Sequence, residues 1–129
     1  MRRLGILFLL LCAAASSARA ADAPSQNFVV YFQEWSAALD DSAQSVIGRA
    51  AELLKSQGGN VAHVNGFADP TGSKKANILL ADLRAQVVVD QLQSDGADPR
   101  RIRQRGHGSV NFALTSQESR RVEISISRR

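Results

Sequence analysis

The chain has 129 residues, of which 16 are basic and 12 are acidic. Three of the basic residues, Arg2, Arg3 and Arg19, lie in the first twenty positions, so the rest of the chain carries 13 basic and 12 acidic side chains and is almost neutral. A near-neutral chain gives no reason to expect bulk electrostatic binding to nucleic acid. The only cysteine is Cys12, which excludes disulfides and thiol catalysis from the rest of the chain.

The first twenty residues have the pattern of a secretory signal. Arg2 and Arg3 form a basic start, and the apolar run Leu4–Leu11 is too short to span a membrane. Ala18 and Ala20 supply the small residues of a cleavage site. We therefore expect residues 1–20 to be a signal peptide cleaved after Ala20, leaving a periplasmic protein of 109 residues, the size of one domain.

Cys12 offers an alternative to simple cleavage. A lipidated cysteine becomes the new N-terminus of a lipoprotein, but the residue before it is normally small and Leu11 is bulky. An outer-membrane lipoprotein anchored through Cys12 is therefore the alternative prediction for localisation. In both cases we expect no transmembrane segment in the mature chain.

Hydrophobic periodicity predicts the first two elements. After a short lead-in at residues 21–26, Asn27–Phe32 is rich in β-branched and aromatic residues and predicts a strand. A helix follows, capped by Asp40 and running to about Ser56, where two glycines end it. Its apolar positions fall on one face: Ala43, Val46, Ile47, Ala50 and Leu54.

The sequence pattern of the second half of the chain predicts three strands and one helix. Val61–Ala68 predicts a strand that delivers Asp69 at its C-terminal end, and Lys74–Ser94 predicts a helix. A third strand is expected at Ile102–Gly106, and after a loop a closing strand is expected at Arg121–Arg129.

Alternation assigns side chains of the last two strands to faces. Arg101, Arg103 and Arg105 share one face of the third strand, which we expect to meet solvent or a polymer. In the closing strand Val122, Ile124 and Ile126 point inward, and Arg121, Glu123 and Ser125 point outward. The order strand, helix, strand, helix, strand, strand predicts a two-layer α/β sandwich with both helices on one face of the sheet.

The second helix carries two polar residues beside its apolar stripe. The predicted buried positions are Ala76, Leu80, Leu83 and Val87. Asn77 and Arg84 lie two turns apart along the edge of that stripe. A guanidinium at the edge of a core needs a partner, and the nearest acid is Asp69. Such an acid and base can stabilise each other, or they can hold a zwitterionic ligand between them.

The motifs give no support for catalysis. His63 and His107 lie in or beside predicted strands without a nucleophile motif, and we expect both to be structural. The sequence has no H-x-x-H or C-x-x-C spacing and no phosphate-binding loop. We therefore expect neither enzyme activity nor a cofactor or metal.

The stretch from Gly66 to Ala85 resembles the core motif of OmpA-like peptidoglycan-binding domains. That motif reads roughly G-H-[TA]-D-x-x-G-x-x-x-x-N-x-x-L-[SA]-x-x-R-A, and a later element reads N-R-R-V-E-I. The later element is matched by residues 120–124, and the resemblance covers about Asn27–Ile126. The residues that match the core motif are Asp69, Thr71, Gly72, Asn77, Leu80, Arg84 and Ala85.

This resemblance implies a mixed sheet and non-covalent binding to peptidoglycan in the envelope of a Gram-negative bacterium. The recognised group is diaminopimelate in the stem peptide, whose side chain ends in an ammonium and a carboxylate on one carbon. By resemblance, Asp69 takes the ammonium and Arg84 the carboxylate, each through charge-assisted hydrogen bonds. The other residues that the resemblance places in or beside this pocket are Thr71, Asn77, Arg120 and Arg121.

Four positions depart from the family pattern. Phe67 replaces the usual histidine, Gln33 an acid, Trp35 a small or amide residue, and Ser119 an asparagine. One alternative is therefore a protein-interaction module of an envelope complex that keeps the fold without wall binding. A second alternative is binding of an anionic polymer through the arginine-rich third strand and C-terminus.

A third alternative is purely structural. In it, Asp69 caps the turn into the second helix and Arg84 pairs with it.

Overall fold

The helices and strands lie close to the positions that hydrophobic periodicity predicts. The computed structural model describes residues 25–109 and 119–128, so the predictions for the signal and for the loop before the closing strand fall outside the described residues. The strands are β1 (Gln26–Tyr31), β2 (Asn60–Ala68), β3 (Ile102–Ser109) and β4 (Arg121–Arg128), and the helices are α1 (Asp41–Ser56) and α2 (Lys74–Ser94).

Both helices begin at a side-chain cap. The Asp40 carboxylate accepts a hydrogen bond from the Ala43 amide at 2.7 Å, and the Ser73 hydroxyl accepts one from the Ala76 amide at 3.1 Å. These bonds satisfy N–H groups that have no partner within the first turn of a helix. The predicted cap at Asp40 and the predicted bounds of α2 are confirmed.

The sheet is mixed, with strand order β1–β4–β2–β3. β4 runs antiparallel to both of its neighbours, and β2 and β3 run parallel, joined by α2 as the crossover that parallel neighbours require. Ile124 lies opposite Phe28 on β1 and opposite Val64 on β2. The two-layer α/β fold is therefore confirmed, and the sheet has the mixed character that the resemblance implies.

The core lies between the sheet and the two helices. Val122, Ile124 and Ile126 point into it, as alternation predicts. The opposite face of the sheet, called the outer face below, carries the exposed side chains of Arg103 and Arg105. The largest fully buried aliphatic side chains are Ile47, Leu54, Leu92, Ile124, Val30, Val64, Val88 and Val122.

Arg101 was predicted to share a face of the third strand with Arg103 and Arg105, and this prediction is wrong. It lies in a 3₁₀ turn at Pro99–Arg101. Its guanidinium folds back and donates to the carbonyl oxygens of Asn60, at 2.8 Å, and Gln57. The turn breaks the alternation, so Arg101 ties the start of β3 to the start of β2 instead of extending the arginine row.

The buried face of α2 differs from the predicted stripe. Leu83 is 52% exposed, whereas Arg84 is fully buried and Asn77 is 2% exposed. The residues of α2 that face the core are Asn77, Ala81, Arg84, Ala85, Val88, Val89 and Leu92. Both registers have helical spacing, and the one that buries small residues prevails because α2 lies very close to the sheet.

Two glycines permit that close approach. A Cβ on Gly66 of β2 would overlap the Ala81 carbonyl, and a Cβ on Gly106 of β3 would overlap the Asp82 side chain. Only hydrogen fits between α2 and the sheet at these positions. The close contact sets Asn77 and Arg84 at the end of β2, where the chain turns into α2.

Candidate functional site

The predicted site residues lie around the turn between β2 and α2. Asp69 follows β2 directly, and Gly72 adopts a left-handed conformation at φ 86° before Ser73 starts the helix. Asn77 reaches back from the first turn of α2 and donates its side-chain N–H to the Thr71 carbonyl at 2.8 Å. The amide of Asn77 therefore braces the turn that carries Asp69 and Thr71.

Asp69 is a buried acid with one oxygen in use. Its residue is 7% exposed, and Oδ2 accepts a hydrogen bond from Arg120 Nη1 at 3.3 Å. Oδ1 is buried and has no hydrogen-bond partner among the described residues. An unsatisfied buried oxygen costs about 1–3 kcal/mol, so a donor entering here would gain an unusually favourable acceptor.

Arg84 is held by backbone carbonyls. Its Nε donates to Ser36 at 2.8 Å, and its Nη2 donates to Gln33 at 2.9 Å. A longer bond of 3.4 Å runs from Nη1 to the Phe67 carbonyl, and the guanidinium lies 5.3 Å from the centre of the Phe32 ring. Among the described contacts Arg84 forms no ion pair with Asp69, contrary to the structural alternative drawn from the sequence.

The electrostatic setting of Arg84 follows from this burial. The pKa of Arg84 is lowered to about 10, chiefly by desolvation and next by the positive charge of Arg120, while the negative charge of Asp69 opposes the shift. A pKa of about 10 keeps the guanidinium charged at neutral pH. The buried part of the site thus holds two cations and one anion.

Arg120 completes the buried set. Besides its ion pair with Asp69, its Nε donates to the Phe32 carbonyl at 3.2 Å. Its side chain is mostly buried, which strengthens the pair relative to one on the surface. Arg120 therefore links the start of β4 to the end of β1 and to the acid after β2.

These residues surround one small cavity of about 10 Å³, roughly the space of a single water molecule. Five of the six predicted site residues line it, and Arg121 does not. The sequence did not assign Glu34 and Leu80 to the site, and it marked Trp35 only as a departure from the family pattern. The lining residues are Glu34, Trp35, Asp69, Thr71, Asn77, Leu80, Arg84 and Arg120.

Trp35 forms part of the rim in an unusual conformation. It is the one non-glycine residue with positive φ in the described chain, at 53°, and the residue is 55% exposed. The indole lies over Gly72, where an added Cβ would come within 2.7 Å of Trp35 Cη2. A left-handed tryptophan costs about 1 kcal/mol or more, so this rim is held in place by its neighbours.

Arg121 lies on the outer face, away from the cavity. Its Nε donates to Glu123 at 2.8 Å, and its guanidinium lies 4.4 Å from the centre of the Phe67 ring. The other side of Phe67 stacks on His107 at 4.8 Å between ring centres. Adjacent residues of a strand point to opposite faces, so Arg120 and Arg121 cannot both reach the cavity.

Within residues 25–109 and 119–128, no cluster of histidine and acidic side chains is suited to a metal ion. None of the helices in these ranges has the length and hydrophobicity to cross a membrane.

Two proteins of known name are similar to this chain in sequence. YiaD of Escherichia coli, a probable lipoprotein, is 32% identical over 104 residues, which are 76% of this chain and 48% of YiaD. The peptidoglycan-binding protein ArfA of Mycobacterium tuberculosis is 33% identical over 96 residues, which are 70% of this chain and 29% of ArfA. The chain thus spans less than half the length of either relative.

Solved structures share the fold. The peptidoglycan-associated lipoprotein of Burkholderia pseudomallei superposes with a TM-score of 0.70 at 23% identity, covering 78% of this chain and 90% of that one. The C-terminal domain of MotB from Helicobacter pylori superposes with a TM-score of 0.68 at 26% identity, covering 81% and 85%. Residues 31–124 match the sequence model of the OmpA family. With the motif and the fold in agreement, the chain belongs to the OmpA family.

Proposed function

We propose that this protein binds peptidoglycan non-covalently by taking the end of a diaminopimelate side chain into the cavity beside Asp69. The observation that supports the proposal is the buried Asp69 Oδ1, which has no partner among the described residues and belongs to a residue that lines the cavity together with Arg84 and Arg120. An ammonium and a carboxylate on one carbon fit this combination of charges. The relatives named for peptidoglycan, ArfA and the Burkholderia lipoprotein, support the same reading.

Asp69 is assigned to the ligand ammonium. Its Oδ2 is already engaged by Arg120, so an ammonium at Oδ1 would complete the carboxylate without displacing that ion pair. A charge-assisted hydrogen bond in a buried setting is stronger than one in water. Asp69 therefore supplies the anionic half of the recognition.

Arg84 and Arg120 are assigned to the ligand carboxylate. Three of the five N–H groups of the Arg84 guanidinium donate to backbone carbonyls, which leaves two N–H groups for a ligand. The excess of positive charge among the buried groups attracts an anion. Thr71 and Asn77 line the same cavity and shape its wall, whereas Arg121 is assigned no direct contact.

Binding requires the rim to move. A cavity of about 10 Å³ does not hold an ammonium and a carboxylate together. Glu34 and Trp35 are exposed and form the outer side of the cavity, so they are the groups that can give way. Glu34 is also an acid at the rim, one position after the Gln33 at which the family pattern has one.

We place this activity in the periplasm of a Gram-negative bacterium, where the protein would attach to the wall or organise the envelope. The predicted signal and the Cys12 alternative concern residues before the described part of the chain. The role is that of a binding protein, not an enzyme.

A second candidate function is docking to an envelope protein. Three aliphatic side chains on the solvent side of α2, Ile78, Leu79 and Leu83, are exposed. A cluster of exposed aliphatic side chains on one helix is a common mark of a protein contact. In this alternative the fold and its cavity are kept, but the cavity binds no ligand.

The test is co-sedimentation of the purified protein with diaminopimelate-type sacculi, with lysine-type sacculi as the control polymer. Selective pelleting is expected, and Asp69→Asn should weaken it about tenfold or more, whereas the exposed Glu52→Gln control should pellet normally. Arg103→Ala, on the outer face, should also pellet normally, and its failure to do so would favour the anionic-polymer alternative. Absence of selective pelleting by the parent protein would refute the proposal and favour docking.

A solution titration adds a direct readout. Trp35 is the only tryptophan and lies at the rim. Titration with a tripeptide that ends in diaminopimelate should change its emission, and the same tripeptide ending in lysine should not.

A further inference from the structure

The two edges of the sheet are protected unequally. β3 forms one edge, and it carries the exposed Arg103 and Arg105. Charged side chains of this kind prevent an edge strand from pairing with another chain. β1 forms the other edge, and its sequence QNFVVY contains no charge, no proline and no glycine. The β1 edge therefore lacks these usual means of preventing pairing.

The backbone groups that β1 offers can be identified. The amide of Phe32, just after β1, donates to the Arg120 carbonyl at 2.9 Å, so even-numbered residues direct their N–H and C=O groups toward β4. The groups of Asn27, Val29 and Tyr31 consequently point away from the sheet. Within the described chain β1 pairs with β4 alone.

A groove runs beside this edge on the helix face of the sheet. It lies between β1 and the N-terminal part of α1, and it has a volume of about 60 Å³. Val30, Ala43 and Val46 give it an apolar floor. Phe28, on the same face of β1, is only partly buried in the single chain.

We infer that β1 pairs antiparallel with β1 of a second copy of this chain, forming a two-fold symmetric dimer with a continuous eight-stranded sheet. Centring the pair on Val29 opposite its symmetry mate uses the outward backbone groups of all three odd-numbered residues. The same register sets Phe28 of each copy opposite Val30 of the other, beside the groove. A second copy thus supplies both the strand and the aromatic side chain that this edge can accept.

The side chains support self-pairing. Tyr31 would face Asn27 of the second copy on the outer face, and Val29 would face Val29. No like charges meet in this register, and aromatic and β-branched residues are favourable neighbours across strands. The interface is isologous, so it closes at two copies instead of growing into a fibre.

The register is tested by cysteine cross-linking of the purified protein in a Cys12→Ala background, where the introduced thiol is the only one. In an antiparallel hydrogen-bonded pair the Cα atoms lie about 5.5 Å apart, which a disulfide can span. Val29→Cys should therefore form a covalent dimer under mild oxidation. Asn27→Cys alone should not, because its symmetry mate lies about 13 Å away.

Mixing Asn27→Cys with Tyr31→Cys should restore the covalent dimer, since these two positions face each other. Sedimentation velocity gives the second measurement. The unmodified protein should dimerise with concentration, and Val29→Lys should weaken dimerisation about tenfold or more, because it sets two like charges face to face. His63→Lys adds the same charge to the same sheet face away from β1 and should leave dimerisation unchanged.

Two results would overturn the inference. One is a protein that remains monomeric at all concentrations, which would leave the edge to an extended segment of a different protein. The other is Val29→Cys cross-linking no faster than Asn27→Cys. Neither result depends on wall binding, so the dimer and the proposed function stand or fall separately.

Discussion

Replacing Arg84 by lysine should cost both stability and wall binding. Arg84 is fully buried, and its guanidinium fork reaches the carbonyls of Gln33 and Ser36, which lie on the loop that carries Trp35. A lysine ammonium is a single point and cannot span both carbonyls. The variant would keep the positive charge in the core but lose the connection to the loop.

The magnitude follows from the bond lengths. Two bonds, at 2.8 and 2.9 Å, are short, whereas the bond to Phe67 at 3.4 Å is long and adds little. A hydrogen bond from a charged donor contributes about 1.5–3 kcal/mol, and the loop carbonyls can turn to water once released. We therefore expect a loss of about 3 kcal/mol, a large share of the stability of a small domain.

The assay is urea unfolding followed by two signals. Far-UV circular dichroism reports the whole fold, and Trp35 emission reports the loop. If the loop detaches before the domain unfolds, the emission of Arg84→Lys will change at lower urea than its circular dichroism, whereas the two transitions of the parent coincide. Arg105→Lys, at an exposed outer-face position, is the control and should stay within about 0.5 kcal/mol of the parent.

A lysine variant within about 0.5 kcal/mol of the parent, with coincident transitions, would refute the structural role assigned to Arg84. If that variant also lost wall binding, Arg84 would act through the ligand alone. Loss of stability with unchanged binding would instead remove Arg84 from the proposed site.

Three further predictions test neighbouring parts of the structure. Asp69→Asn should weaken sedimentation with diaminopimelate-type sacculi about tenfold or more and lower the free energy of unfolding by about 3 kcal/mol, because the isosteric amide keeps the turn but leaves the mostly buried Arg120 without its counter-ion. Gly66→Ala should lower the free energy of unfolding by about 2 kcal/mol or more in urea, since its Cβ overlaps the Ala81 carbonyl; a neutral result would contradict the close packing of α2. Leu83→Gln should change that free energy by less than about 0.5 kcal/mol, because the side chain is exposed, and a large loss would restore the stripe predicted from sequence.

The sequence predicted the elements of this fold well because its boundaries are marked by local chemistry. Asp40 caps α1, and the bounds of α2 agree with prediction at both ends. The buried face of α2 was harder to predict. Apolar residues lie on both sides of that helix, and the glycines that decide between them belong to β2 and β3, which are distant in sequence.

The site likewise combines features that local sequence predicts with contacts that depend on distant residues. Asp69, Thr71, Asn77 and Arg84 lie close together in sequence, and a family motif brought them together before any geometry was known. The partners of Arg84 come from residues 33 and 36, about fifty positions earlier, in a loop without periodicity. No local pattern indicates that contact or the rim formed by Glu34 and Trp35.

The sequence could have predicted that Arg120, and not Arg121, lines the cavity. The alternation that sends Val122 inward also sends Arg121 outward with Glu123, and the structure has this arrangement. Arg120 lies just before β4 and turns to the helix side. Applying alternation to the predicted site would have retained Arg120 alone.

The central position of β4 has a consequence for how the domain folds. β4 pairs residues about one hundred positions apart, such as Gln26 with Ile126, and it is the only strand that joins β1 to β2 and β3 in the described sheet. Until β4 is inserted, the earlier strands have no continuous ladder, so local contacts cannot complete the sheet. Long-range pairing of this kind slows folding. A chain that emerges from its N-terminus would therefore stay open until residues 121–128 emerge, and truncation before β4 would leave β1 without a partner and β2 with an additional unpaired edge.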